Sequence, residues 1–389
     1  MSSNNINGVI VIEGHVQGLS NTRAIGIHNI PVWVVDNKNC IARRSKYCSR
    51  FLICPNYNST EFIDFLIQTA EENQLENWLL LPSNDHAVYN ISKNRKTLLN
   101  HFKLIVPELK ILENIYDKSK LLEIAKRIKI PIPQTYVITD LKAKVLNEIK
   151  FPVLTKGKNG LTFYKKIKKK VLVANDLNTL KNQLKSIQKV MPLEKVFTQN
   201  IIPDNGSNKT ISFTSFSIDG EIKTFWMGTK LREHPIKFGT ATFVESIYIE
   251  ELIGQSTLLL SELNYTGICE IEYIMDPIDE KYKLIEINPR TWLWVGLANA
   301  CGINYAKMAY DYVHQKPIDY PKKYEIGLFW YNPFTDWIFS VKAILKNKLT
   351  IKEYLKTVFK NKENALFVRG DLKPGLFYLF NIFNFLRNR

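Results

Sequence analysis

The segment 269–290, CEIEYIMDPIDEKYKLIEINPR, carries three carboxylates and an amide at positions that two short strands could bring together. Alternation of apolar and polar residues over 268–275 and 281–288, around a polar turn with Pro277 and Asp279, predicts an antiparallel hairpin. If the hairpin is symmetric about Asp279, Glu272 faces Glu286 and Glu270 faces Asn288. Side chains alternate along a strand, so these four share one face, and Ile271, Tyr273, Ile285 and Ile287 share the other. Like charges placed directly opposite destabilise a sheet, and a compensating cation would relieve them. Hard divalent ions take oxygen ligands, and Mg2+ commonly uses one or two carboxylates together with phosphate oxygens. The same residues also allow a plain alternative, a solvent-facing sheet surface of unpaired acids that Asn288-Pro289-Arg290 simply ends.

Such a hairpin needs a scaffold. The runs 8–12 and 31–35 read as buried β-branched strands with a helix near 20–28 between them. A strand at 50–54, a helix over 60–73 and a strand at 78–81 continue the alternation, which predicts an open, mainly parallel sheet for about the first hundred residues. A helix over 117–129 is stopped by Ile130-Pro131-Ile132-Pro133. From 134 to about 317, strands alternate with short helices, and Asp219-Gly220 marks a hairpin turn, as expected of an α+β region with antiparallel sheets. The tail from 318 is basic and aromatic, with helices expected at 337–346 and 350–360 and an apolar stretch at 375–386.

With this scaffold in place, the run Glu286-Ile287-Asn288-Pro289-Arg290 after Glu272 resembles the metal-binding segment of the ATP-grasp superfamily, in particular its carboxylate–amine ligases of the D-aspartate ligase type and the large subunit of carbamoyl phosphate synthetase. Other segments agree in order and spacing. They are Asp117-Lys118 opening a helix, the strand ending in Lys156, Gln199 to Pro203 as a hinge strand, and Lys230-Leu231-Arg232 with Pro235 and the run 239–246. The resemblance covers roughly 8–317. It implies an N-terminal parallel α/β domain over 1–115, a small α+β lid over 116–200 and a larger antiparallel α+β catalytic subdomain over 201–317, with 318–389 as a C-terminal extension. It further implies that Glu272, Glu286 and Asn288 hold Mg2+ against ATP as two ions, with Mn2+ able to substitute, and that Arg290 and Arg232 act on the transferring phosphoryl group. Lys118, Lys156, Gln199, Asn200 and Ile201 would contact the nucleotide, with Asp204 as the candidate for the ribose. His15, Gln17, Gly18, Asn84, Asp85 and His234 would face the carboxylate or amine substrate. Three departures stand out: the loop 157–160 is poor in glycine for a phosphate cover, Asn200 stands where a glutamate is common, and no ribose carboxylate is obvious.

The remaining signals are weaker. The loop 14–18 follows a strand and precedes a helix, but lacks the G-x-G-x-x-G spacing of a dinucleotide fingerprint. Six histidines have no metal-ligand spacing, and no nucleophile context supports an acyl-enzyme. Five cysteines with no C-x-x-C argue for a reducing, cytoplasmic compartment, and the first residues lack the basic region of a signal peptide. The net charge of +16 is mostly dispersed lysine, with one dense run at 165–170. The leading expectation is an ATP- and Mg2+-dependent ligase that joins a carboxylate to an amine through an acyl phosphate. The basic, aromatic tail favours a cell-envelope or surface-polysaccharide precursor as one substrate, with contact at the inner face of the membrane through the C-terminus. Alternatives are a peptide or natural-product ligase and, from another class, a non-catalytic nucleotide- or nucleic-acid-binding protein, although no nucleic-acid motif accompanies the charge. The class also admits a homodimer.

Overall fold

The computed structural model describes residues 7–204, 209–234 and 239–382; Pro235, Arg387, Arg389, the leading residues and the end of the apolar stretch 375–386 lie outside them. Five parallel strands open the chain: β1 (Val9–Ile12), β2 (Val32–Asp36), β3 (Arg50–Ile53), β4 (Trp78–Pro82) and β5 (Phe102–Leu104), in the order β3-β2-β1-β4-β5. Helices α1 (Val16–Gly26), α2 (Thr60–Asn73), α3 (Asp85–Lys93) and the short α4 (Arg95–Leu98) connect them. All four residues of β1 are buried, as expected of a strand covered on both faces. Because β1 pairs in parallel with β4, Ile12 opposite Pro82, the loops leaving both strands emerge side by side at the carboxyl edge. That crevice is where open α/β sheets present ligand-binding groups.

Helix α1 begins at Val16, earlier than expected, and the reason is burial. Almost every residue of it is inside, including Gln17, Ser20, Asn21 and Thr22, so no polar stripe marks the helix in the sequence.

Helices α5 (Leu109–Tyr116) and α6 (Lys118–Arg127) lead into the second unit. Asp117 caps α6 by accepting from the backbone N–H groups of Ser119 and Lys120, which makes Lys118 the first residue of the helix. The antiparallel sheet that follows contains β6 (Thr135–Tyr136), β7 (Val153–Gly157), β8 (Leu172–Ala174) and β9 (Val196–Asn200) in the order β6-β9-β7-β8, covered by α7 (Gly160–Ile167) and α8 (Leu177–Gln188). The loop after Lys156 is only a few residues long, since Asn159 caps α7. A side chain at Gly157 would meet the Phe163 Cβ at 2.3 Å, so glycine is required for α7 to turn back on its strand.

The third sheet has seven strands: β10 (Thr210–Ile218), β11 (Glu221–His234), β12 (Thr240–Ile247), β13 (Gly267–Asp276), β14 (Lys281–Asn288), β15 (Phe329–Tyr331) and β16 (Lys362–Asn364). Their order is β14-β13-β10-β11-β12-β15-β16. Around it lie α9 (Glu251–Glu262), α10 (Val295–Ala300), α11 (Tyr305–Val313), α12 (Pro333–Leu345), α13 (Ile351–Val358) and α14 (Lys373–Phe380). The β10–β11 turn uses Asp219 at φ 49° and Gly220 at φ 80°, the left-handed pair that a tight hairpin needs. The basic tail therefore supplies two strands as well as the two expected helices; each strand has only three residues, too short for alternation to show.

Candidate active site

The hairpin β13–β14 has the expected pairing at its functional end: Glu270 opposite Asn288, Ile271 opposite Ile287, and Glu272 opposite Glu286. Beyond Glu272 the register slips by one residue, so that Tyr273 faces Leu284. Ile285 consequently leaves the face expected for it. Leu284 packs in the core beside Tyr273, and Ile285 lines a cavity together with the acids. A bulge turns a strand in this way, and alternation alone cannot show it.

The cavity, of about 1390 Å³, lies between the hairpin, the second sheet, α3 and α12. Its floor is Glu272, Glu286, Asn288 and Arg290. Each acid of the facing pair has its own lysine. The Lys118 ammonium, at the head of α6, donates to Glu286, and Lys230 on β11 donates to Glu272 at 2.7 Å. Lys230 reaches it because Ser212 pairs with both Gly228 and Glu272, which places Lys230, two residues on, over the same face. Lys118 pulls the Glu286 carboxyl down to about 2 against its burial. Burial and the neighbouring Glu272 raise Glu270 to about 7, although Ser212 donates to it at 2.7 Å. Asn288 donates its amide to the other oxygen of Glu270 at 3.0 Å.

Lys156, next to last in β7, enters the same cavity and has no ion pair of its own among the described residues. Burial and the nearby Lys118 lower its ammonium to about 8, with partial relief from Glu286 and Glu272. Lys118 shifts the other way, since Glu286, Glu272 and Asp85 together outweigh its burial.

Gln199, Asn200, Ile201 and Asp204 line the cavity along the hinge. The side chain of Asn200 accepts from Tyr136 Oη at 2.9 Å and donates to the Lys150 carbonyl, and Gln199 donates to Thr135 Oγ1 at 3.1 Å. Both side chains are thereby tied into the second sheet, the Ile201 N–H donates to the Pro152 carbonyl at 3.2 Å, and Leu154, Ile274 and Ile285 line the cavity beside the hinge as apolar neighbours. The sequence singles out neither Leu154 nor Ile274 for the cavity, and its alternation puts Ile285 on the opposite face.

Arg232 lines the cavity, but its guanidinium is held bidentately by Asp336 of α12 at 2.8 and 2.7 Å, donates to Thr357 of α13 and stacks over Phe243. Lys230, two residues earlier, is the cation of this strand that meets the acids. His234 stacks on Phe339 of α12 at the cavity wall.

Arg290 is gripped bidentately by Asp85 at 2.8 and 3.0 Å, which joins the floor to the N-terminal crevice. Thr291 strengthens that joint through hydrogen bonds with Asn21 and Ser83. Asp85 belongs to the cavity wall, whereas His15, Gln17, Gly18 and Asn84 do not. Behind Asp85, Asn84 and Gln17 donate to opposite oxygens of Glu13, at 3.1 and 2.7 Å. Glu13, which the sequence reading passed over, has φ 74° at the end of β1. Its burial raises the carboxyl to about 7, with opposing pull from Asn84 and Arg290. The left-handed backbone was invisible because glutamate rarely adopts it.

Among the described residues, no three His, Cys, Asp or Glu side chains gather closely enough to hold a metal by themselves. Glu272, Glu286 and Asn288 nonetheless form an all-oxygen donor set at the cavity floor, and with phosphate oxygens it suits Mg2+. A bound Mg2+ would supply charge neutralisation at phosphate oxygens.

The fold is similar to that of ATP-grasp proteins. Residues 232–311 match the family described as carbamoyl-phosphate synthase L chain, ATP binding domain. D-aspartate ligase of Enterococcus faecium (strain Aus0004) is 23% identical over 270 residues, 66% of this chain and 64% of that ligase, so the chain spans under two thirds of the relative's length. Two solved structures share the fold. The L-amino acid ligase of Bacillus licheniformis superposes with a TM-score of 0.60 at 17% identity, covering 82% of this chain and 76% of that one. The biotin carboxylase domain of the Hydrogenobacter thermophilus 2-oxoglutarate carboxylase, solved as a dimer with MgADP, ADP and bicarbonate, gives 0.64 at 15% identity, over 83% and 73%.

Proposed function

We propose that the protein is an ATP- and Mg2+-dependent carboxylate–amine ligase. The observation that carries this reading is the floor itself, where two facing carboxylates and an amide meet three lysines in one cavity. A free carboxylate has no leaving group. Attack of its oxygen on the γ-phosphorus of ATP breaks the bond to ADP and gives an acyl phosphate. An amine then adds to the acyl carbon, expels phosphate and, on losing a proton, leaves an amide. Positioning and positive charge supply most of the catalysis of phosphoryl transfer. Lys118, Lys156 and Lys230 provide that charge; Glu272, Glu286 and Asn288 would hold the metal. The hinge backbone near Ile201, between Leu154, Ile274 and Ile285, suits a flat base, with Asp204 nearby for the ribose. Arg290, steadied by Asp85, stands where the cavity meets the N-terminal crevice and suits the substrate carboxylate or its acyl phosphate. The names of the relatives, D-aspartate ligase and L-amino acid ligase, support an amino acid as one substrate.

The cavity exceeds what a nucleotide needs, and Lys342 and Lys346 in its wall favour an acidic second substrate such as an envelope precursor. Purified protein with ATP, Mg2+, candidate acids and hydroxylamine should release ADP and form hydroxamate. Absence of both across a broad panel of acids would falsify the ligase reading.

A further inference from the structure

Helix α13 has no buried residue, although it is strongly amphipathic. At 100° per residue its side chains fall into three strips. Tyr354 and Thr357 point inward, beneath and beside the Arg232 guanidinium. Ile351, Leu355 and Phe359 form an apolar strip, with exposures of 62%, 50% and 88%. Lys352 and Lys356 form a basic strip beside it, whereas Lys360, past the end of the helix, stacks over Phe329. Helix α12 adds a second outward apolar strip, with its lysines on the cavity side. Its inner side lines the cavity through Phe339, Lys342 and Lys346, and Trp337, Val341 and Leu345 stand outward, the last 78% exposed.

We propose that this helical hairpin is a docking surface for a bilayer containing anionic lipid. Large apolar side chains set in one strip and flanked by lysines lie flat in a headgroup region, with the chains in the acyl boundary and the ammonium groups at the phosphates. The acids of the hairpin do not oppose this. Glu353 is closed into a capping box with Thr350, and Asp336 is buried against Arg232. A second copy of the chain is a poor occupant, because the same patch would bring its lysines against their equivalents. No described helix is long and apolar enough to cross a membrane, so the contact is with the surface. Resting on the ligase reading, one consequence follows: the other side of α12 is cavity wall, so docking brings the cavity to substrate groups displayed at the membrane.

The test is co-sedimentation of the full-length protein, without ATP, with phosphatidylcholine vesicles and with vesicles that also contain phosphatidylglycerol. Binding to the anionic vesicles alone is expected, weakened by salt. The double substitutions Leu355→Asp with Phe359→Ser, and Lys352→Glu with Lys356→Glu, should each lower vesicle affinity by about tenfold or more while leaving turnover of a soluble substrate unchanged. No binding at low salt would overturn the proposal. So would full binding by both variants together with its loss in Arg387→Glu with Arg389→Glu, which would place the contact in the last residues. A dimer in light scattering that Phe359→Ser dissolves would also overturn it, by assigning the patch to a second copy. Vesicle binding requires no chemistry, so its failure leaves the ligase reading standing, and absence of hydroxamate leaves the docking reading standing.

Discussion

Half-buried carboxylates lie on either side of Arg290, and their surroundings act on them in opposite directions. On the hairpin floor each of the facing acids has a lysine, and Glu286 is held ionised down to about 2 by Lys118. In the N-terminal crevice Glu13 accepts from the amides of Asn84 and Gln17 and feels Arg290 at a distance, yet burial lifts it to about 7. On the proposed reading, the floor keeps negative charge for a metal and a triphosphate. The crevice holds an acid that is half protonated near neutrality, and Asp85 with Arg290 is the only ion pair between the two groups among the described residues. A shared location at one end of two sheets thus gives two different electrostatic environments, and the difference lies in which residues supply partners.

The largest test of that contrast is Glu286→Ala. Removing one floor acid leaves Lys118, Lys156 and the metal donors unbalanced, and ADP release should fall by about a thousandfold or more while the melting temperature moves little. A loss matched by unfolding would mean that the acid is structural, and the contrast would break. Asp85→Asn comes next. It frees Arg290 from its partner, and kcat/KM for the carboxylate substrate should fall by about a hundredfold with a much smaller change in nucleotide affinity. An equal loss in both would move Arg290 to the nucleotide side of the cavity.

The same contrast separates what could be read in the chain from what could not. The floor was legible because β13 and β14 are neighbours in sequence, and alternation alone pairs Glu272 with Glu286 and Glu270 with Asn288. The parallel sheet was legible from fully apolar strands such as β1. Ile285 was misplaced because a one-residue bulge reverses facing and leaves no mark in composition. Glu13 was missed because its surroundings come from β1, α1 and α3, residues far apart in sequence. The partner of Arg232 was hidden for a similar reason: Asp336 lies over a hundred residues away, on a tail helix that no short-range pattern ties to β11.

Glu13→Gln sharpens the comparison through stability. The folded-state pKa of Glu13 is raised to about 7 from 4.5, so the folded protein binds more protons than the unfolded chain between those values. Stability from this group is therefore complete below pH 4.5 and declines as pH rises through 7. Glutamine cannot ionise, so the variant should gain on the order of 2 kcal/mol over wild type at pH 8 and lose that advantage at pH 4, as read by urea unfolding at both values. No pH dependence in the difference would show that Glu13 keeps an ordinary carboxyl, and the contrast would then rest on the floor alone.

Lys156 offers the smallest effect and the most local one. With burial and Lys118 lowering its ammonium to about 8, the free amine is well populated at mildly alkaline pH, whereas exposed lysines remain almost wholly protonated there. Competitive acylation of the nucleotide-free protein, followed by mass spectrometry, should give Lys156 a midpoint near pH 8, well below the ~10.4 of a free lysine side chain. Glu286→Ala should lower the midpoint further, because it removes a charge that favours the ammonium form. A midpoint that stays in place in that variant would mean that Lys156 does not feel the floor, and the cavity would be two separate sites instead of one field shared by three lysines and their acids.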